Sequence, residues 1–274
     1  MREPSPTILV FDSGLGGLSV FAEVVKARPD ARYVYVADDA AFPYGHLSEA
    51  KLVARVVALM ERLIAAYAPD LVVIACSTAS TLVLPPLRAR FAVPFVGTVP
   101  AIKPAASASA SRAISVLATP GTVARDYTQD LIRQFANGCR VTLVGSQHLA
   151  SLAEAEMTGR GPPDDVLASE IAPCFVDANG RRTDVVVLAC THYPLLLGRF
   201  EALAPWPVRW IDPAPAIARR VVQLIGDPPS RGPSGREPVA LFTGGASLTP
   251  ALKAALEARG LRRIAIEPLP LVPA

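Results

Sequence analysis

The 274-residue chain is poor in the residues that build disulfide scaffolds, metal clusters and nucleic-acid grooves. Cysteine occurs four times, at Cys76, Cys139, Cys174 and Cys190, with no CxxC pair. That is too sparse for a disulfide framework, and with three histidines it offers no spacing typical of metal ligands, so no metal is expected. Lysine is rarer than arginine, 4 against 23, and the 27 basic residues exceed the 24 acidic ones by only three. Basic residues stand singly or in pairs such as Arg181-Arg182 and Arg262-Arg263, so no nucleic-acid groove is expected. Charged residues are 19% against 51% hydrophobic, which excludes disorder. The most apolar stretch, Leu71 to Leu87, is broken by Ser77, Ser80 and Pro85-Pro86, so no membrane span is expected. Near the start, Arg2 and Glu3 cancel, and the short run Thr7–Phe11 meets Asp12, so no targeting segment is expected. The expectation is a soluble, cytoplasmic protein with free thiols.

What is present is a rhythm of short apolar runs separated by helical stretches. Candidate strands are Thr7–Phe11, Tyr33–Ala37, Leu71–Ala75, Phe95–Gly97, Ile114–Ala118, Val141–Val144, Val185–Ala189, Val208–Ile211, Val239–Thr243 and Ile264–Glu267. Most are continuously apolar, as suits parallel strands covered on both faces. Between them, Ser48 can cap a helix carrying Leu52, Val56, Leu59, Leu63 and Tyr67 at three- and four-residue spacing. The alternation predicts a doubly wound α/β architecture. Proline-rich Asp227–Pro238 reads as a surface loop.

An internal echo divides the chain. Asp70-Leu-Val-Val-Ile-Ala-Cys76 reappears as Asp184-Val-Val-Val-Leu-Ala-Cys190, 114 positions on. More weakly, the strand beginning at Ile8 is echoed at Ile114, 106 positions on. Two halves on one plan are expected. Ligands of such sheets lie beyond the carboxyl ends of strands. There stand Asp12-Ser13, Cys76-Ser77-Thr78, Thr119 and Cys190-Thr191-His192. If the halves face each other, two thiols meet one cleft from opposite walls.

Each motif also has a plainer reading. Asp12-Ser13-Gly14-Leu15-Gly16-Gly17 can bring backbone amides to an anion, or be a tight turn. A dinucleotide fingerprint needs glycine at 19, where Ser19 stands, and Asp12 would repel a pyrophosphate; a ligand with a carboxylate and an ammonium fits better. Pro43-Tyr44-Gly45 is a turn able to present Tyr44 and the Gly45 amide. A buried thiol taken singly is usually inert packing, but Cys76 and Cys190 both end strands and precede hydroxyl residues. A phosphatase loop is excluded, because Leu82 and Leu196 stand where arginine is needed. A hydrolase using Cys190 and His192 stays open, although one strand end seldom aims both side chains at one atom. Cys139 and Cys174 read as structural, His46 and His148 as surface or helix-start residues, and Glu154 as ambiguous.

Taken in order, Phe11-Asp12-Ser13-Gly14, Ala37-Asp38 with Pro43-Tyr44-Gly45, Ala75-Cys76-Ser77-Thr78, Thr119-Pro120-Gly121-Thr122 and Cys190-Thr191-His192-Tyr193 resemble glutamate racemases of the cofactor-independent aspartate/glutamate racemase superfamily. The resemblance covers nearly the whole chain. It implies two α/β domains related by a pseudo-twofold, with the active site in the cleft between them. The expected division is 1–98 plus 210–274, carrying Asp12 and Cys76, and 99–209, carrying Thr119, Glu154, Cys190 and His192. It further implies racemisation of L- to D-glutamate for peptidoglycan, without pyridoxal phosphate or any other cofactor. Cys76 and Cys190 would be the acid/base thiols, assisted by Asp12, His192 and Glu154. Substrate contacts would come from Asp12, Ser13, Tyr44, Gly45, Ser77, Thr78, Thr119, Thr122, Thr191 and His192. Ser77 departs from the family's usual asparagine, and Ser146 stands where many members have cysteine. Aspartate as substrate, or a Cys190 hydrolase on the same fold, are the alternatives; a homodimer is the expected assembly.

Overall fold

The computed structural model describes residues 5–228 and 237–268. In chain order the strands are β1 (Thr7–Asp12), β2 (Arg32–Ala37), β3 (Leu71–Ile74), β4 (Phe95–Gly97), β5 (Ala113–Ala118), β6 (Arg140–Gly145), β7 (Asp177–Ala178), β8 (Arg181–Arg182), β9 (Val185–Leu188), β10 (Arg209–Ile211), β11 (Val239–Phe242) and β12 (Arg263–Ile266). All ten expected strands form, with ends shifted by a residue or so. The two-residue ribbon β7–β8 was not anticipated, because polar two-residue strands leave no hydrophobic period to read. Most of the proline-rich loop expected over 227–238 lies outside the described residues.

Six strands form one sheet in the order β12-β11-β2-β1-β3-β4, and four form another in the order β10-β9-β5-β6. Every pairing in both is parallel. The smaller sheet repeats the order β2-β1-β3-β4 of the larger as β6-β5-β9-β10. The repeat extends to register. Phe11 pairs with Ile74 in the first sheet and Leu117 with Leu188 in the second, preserving both sequence offsets of the echo. Strand β10 stays in the second sheet, so the crossing expected at residue 210 falls inside a strand and the chain returns only after Ile211.

Alternate residues of each strand enter different cores. Ile8 and Val10 pack on one face of the first sheet, Leu9 and Phe11 on the other. In the second sheet, Val186 and Leu188 face one core and Val185 and Val187 the other. Burial on both sides explains the unbroken apolar runs. The helix Glu49–Tyr67 starts where Ser48 accepts a hydrogen bond from the Lys51 amide, 3.4 Å away, and buries Leu52, Val56, Leu59 and Leu63 as its spacing predicts. Among the described residues no helix is long and apolar enough to cross a membrane.

Candidate active site

Asp12 closes β1 and has no exposed surface. Its Oδ2 accepts from the amides of Gly14 (3.3 Å) and Gly17 (3.0 Å), and Oδ1 accepts from the Thr191 hydroxyl at 3.4 Å. The carboxylate, which the sequence reading offered to a ligand's ammonium, instead ties the first sheet's loop to the second sheet's. The neighbouring Leu15 amide donates to Glu154 Oε1 at 2.6 Å. Three amides that the glycine loop offered to a ligand are thus taken by the protein's own carboxylates.

Cys76 follows β3 and stands at the start of the helix Ser77–Arg90. Hydroxyls fix this strand-to-helix turn. Ser80 Oγ donates to the Ile74 carbonyl at 2.9 Å, and Thr98 Oγ1 reaches the Ile74 and Ala75 carbonyls at 3.1 Å each. The Cys76 sulfur lies 3.5 Å from Ser13 Oγ. Burial pushes its thiol well up, and the Asp12 carboxylate adds to this, against weaker opposing help from Ser13 and the Ala79 amide.

Across the cleft, Cys190 follows β9, and the chain turns at once into the tight helix Tyr193–Leu196. This turn folds His192 back, so that its Nδ1 stands 3.8 Å from the Cys190 sulfur. One strand end thus does aim both side chains at one place. His192 Nε2 lies 2.8 Å from Glu154 Oε1. Burial depresses the imidazole pKa, but hydrogen bonds to Cys190 and Glu154 outweigh it and raise the value well above the ordinary one. Glu154, on the helix Leu149–Met157, is therefore no solvated charge; its side chain is only 14% exposed.

Cys76 and Cys190 both line one cavity of about 30 Å³, which the two walls share. Ser13, Tyr44, Gly45, Ser77, Thr78, Thr119, Thr191 and His192 of the expected contact residues reach it. Thr122 lies behind, its Oγ1 3.0 Å from that of Thr119, which in turn is 3.3 Å from Thr78 Oγ1 across the cleft. Ser77 Oγ is buried without a hydrogen-bond partner among the described residues. Tyr44 contributes its ring, since its hydroxyl donates to Asp38 Oδ2 at 2.5 Å. That carboxylate also receives Arg55 Nε at 2.6 Å, and Thr243 donates to Oδ1 at 2.6 Å.

Sequence reasoning missed several members. Phe42 lines the cavity and sets its ring 5.3 Å from that of His192, a placement no local pattern announces. Ala150 lines it as well. Ser19, noticed only for breaking a fingerprint, donates to the carbonyls of Gly16 (2.9 Å) and Thr191 (3.0 Å). A hydroxyl near the start of a helix that follows a glycine loop was the available signal. His46 and His148 are exposed, and Cys174 is buried in the second sheet's core, where burial pushes its thiol up to about 12.

A profile of the Asp/Glu/hydantoin racemase family matches residues 11–221. The chain belongs to this family. It is 59% identical over 219 residues to a glutamate racemase of Brucella anthropi, covering 80% of this chain and 79% of that protein. A glutamate racemase of Sinorhizobium medicae is 55% identical over 239 residues, covering 87% and 88%. In three dimensions the chain is similar to Escherichia coli glutamate racemase in complex with L-glutamate and the activator UDP-MurNAc-ala, with TM-score 0.87, 41% identity and coverage of 97% and 99%.

Proposed function

We propose that the protein interconverts L- and D-glutamate by two-thiol proton transfer at Cα, without a cofactor. The observation that carries this reading is that Cys76 and Cys190, each following a strand of a different sheet, line one cavity, in a chain whose relatives are glutamate racemases. Inverting a carbon requires a proton removed from one face and another delivered to the opposite face. A single base would return the proton where it came from. One thiol acts as thiolate base while the other donates, and the roles exchange with direction. Asp12 assists on the Cys76 side, and His192 with Glu154 on the Cys190 side. The buried Ser77 hydroxyl, Thr78, Thr119 and the Gly45 amide are the groups available to a substrate carboxylate. Such donors can hold charge developing on the carboxylate in a water-excluded cleft.

A cavity of about 30 Å³ admits one or two waters. Glutamate needs several times that room, so the two walls part to admit it and close for the chemistry. D-glutamate made in this way would supply cytoplasmic peptidoglycan synthesis, and a homodimer is the assembly we propose.

Cys190, His192 and Glu154 also form a nucleophile–base–orienter chain, which is the geometry of a cysteine hydrolase. That reading leaves Cys76 without a role. Turnover in D₂O separates the two: racemisation puts deuterium on Cα of the product enantiomer, whereas a hydrolase forms a covalent adduct visible by mass spectrometry and exchanges nothing. Cys76→Ser and Cys190→Ser should each lower racemisation by at least about 10²-fold. Near-normal turnover in either variant would refute the two-thiol assignment. A panel of glutamate and aspartate followed by circular dichroism decides the substrate.

A further inference from the structure

The glycine loop that follows β1 belongs by sequence to the wall of Cys76, yet the nearest atoms to Gly14 and Gly16 belong to Glu154 and His192 of the wall of Cys190. The Leu15 amide donates to the same Glu154 oxygen, Oε1, that faces His192 Nε2. A Cβ placed on Gly14 would overlap Glu154 Oε1 and come within 3.2 Å of its Cδ and 3.0 Å of Phe42 Cδ2. One placed on Gly16 would lie 2.7 Å from both the ring Cγ and the backbone nitrogen of His192. The bare backbone of this loop is therefore the surface against which the Glu154–His192 pair is seated.

We propose that Gly14, Leu15 and Gly16 are positioning residues for the acid/base group of the opposite wall. The loop fixes Glu154 and through it the His192 ring, so that Cys190 acquires its partner only when the cleft is closed. The chemistry is direct. An oxygen that accepts the Leu15 N–H is presented as an acceptor, and an acceptor opposite Nε2 keeps the proton on that nitrogen. Nδ1 is then the ring atom left to exchange a proton with the Cys190 sulfur. When the walls part, the Leu15–Glu154 bond breaks with them, and the ring loses the contact that orients it.

This inference rests on the assignment of His192 and Glu154 as assistants to Cys190, and the experiment separates the two. Gly14→Ala, Glu154→Ala and the double variant are compared, using glutamate carrying deuterium at Cα in each direction. At equilibrium the two directions are linked, so kcat/KM falls equally in both. The substrate isotope effect does not share that constraint. In Gly14→Ala it should rise about twofold in the direction in which Cys190 removes the proton, and not in the other. In Glu154→Ala the overlapping carboxylate is gone and only the Phe42 ring edge remains, 3.0 Å from the added Cβ, so adding Gly14→Ala should change kcat/KM by less than about twofold. If Glu154→Ala retains parental kcat/KM and isotope effects, the assistant assignment fails and this inference with it. If Glu154→Ala is impaired while Gly14→Ala is silent, multiplies the loss in the double variant, or raises the isotope effect equally in both directions, only the inference is overturned. Near-ultraviolet circular dichroism of each variant monitors folding, and Leu15→Pro, which deletes the amide donor, repeats the isotope measurement without adding a Cβ at Gly14.

Discussion

Ser77 occupies an unusual position for a polar side chain. It is buried, lines the cavity, and has no hydrogen-bond partner among the described residues. A buried hydroxyl left unpaired costs free energy, on the order of 1–3 kcal/mol, unless something binds it. Its removal breaks no hydrogen bond to another described residue. Ser77→Ala should therefore leave the unfolding midpoint unchanged or slightly raised, while the KM for glutamate rises several-fold. Thermal unfolding and steady-state kinetics on the same preparation check both halves; a lower Tm with unaltered KM would show the hydroxyl to be structural. Ser77→Asn gives the converse test, because an amide reaches further into the cavity than a hydroxyl does.

Helices and strands are joined by buried polar clamps away from the site. Arg28, just after the helix Gly17–Ala27, makes a two-point ion pair with Asp30, at 2.9 and 2.8 Å. It also donates to the carbonyls of Ile225 and Gly226, at 3.0 and 2.9 Å, where the helix Ala214–Ile225 ends. Both charged side chains are nearly inaccessible, at 3% and 6% exposed. Arg28→Ala leaves Asp30 buried and unpaired, and should cost about 3–5 kcal/mol in urea unfolding. The Arg28 guanidinium holds the Asp30 carboxyl below its usual range. The resulting stability is present above the unfolded carboxylate value of about 3.9 and is lost as pH falls through the lower folded value. The stability gap between the parent and Asp30→Asn should accordingly be widest near pH 7 and narrow toward pH 3. Urea midpoints at the two pH values measure it; a gap that widens on acidification would contradict the ion pair's role.

The molecule as a whole is two parallel sheets whose strand ends converge on one cavity, held by bonds that cross between them. Asp12 with Thr191, Ser19 with Thr191, Leu15 with Glu154 and Thr78 with Thr119 tie the interior. Outside them, Arg125 pairs with Glu49, joining the turn after Thr122 to the helix after Gly45. Glu49 is 68% exposed, so this clasp contributes only about 0.2–1 kcal/mol and is weakened by salt. Glu49→Gln should lower kcat/KM by no more than about fivefold at low ionic strength, and the difference should vanish at 0.5 M salt. A salt-independent loss would mean that Glu49 acts otherwise than as a charge.

The strands of the two sheets were legible because most are continuous apolar runs, the central ones buried on both faces, and the repeat was legible because two such runs lead into cysteine. Even register followed, since the offsets of 114 and 106 reappear in the pairing of Phe11 with Ile74 and Leu117 with Leu188. Glu154 was not legible. A helix glutamate carries no local mark of its role, and the amide that receives it lies 139 residues away in the chain. The same holds for Phe42 and for the turn that brings His192 onto Cys190. By itself the sequence determined which segments are the strands of the two sheets, which thiols follow them and which hydroxyls come next, because hydrophobic burial and turn chemistry are local properties. The tertiary structure alone decided that the glycine loop receives the protein's own carboxylates instead of offering its amides to a ligand, because that depends on which atoms the facing sheet brings within hydrogen-bonding distance.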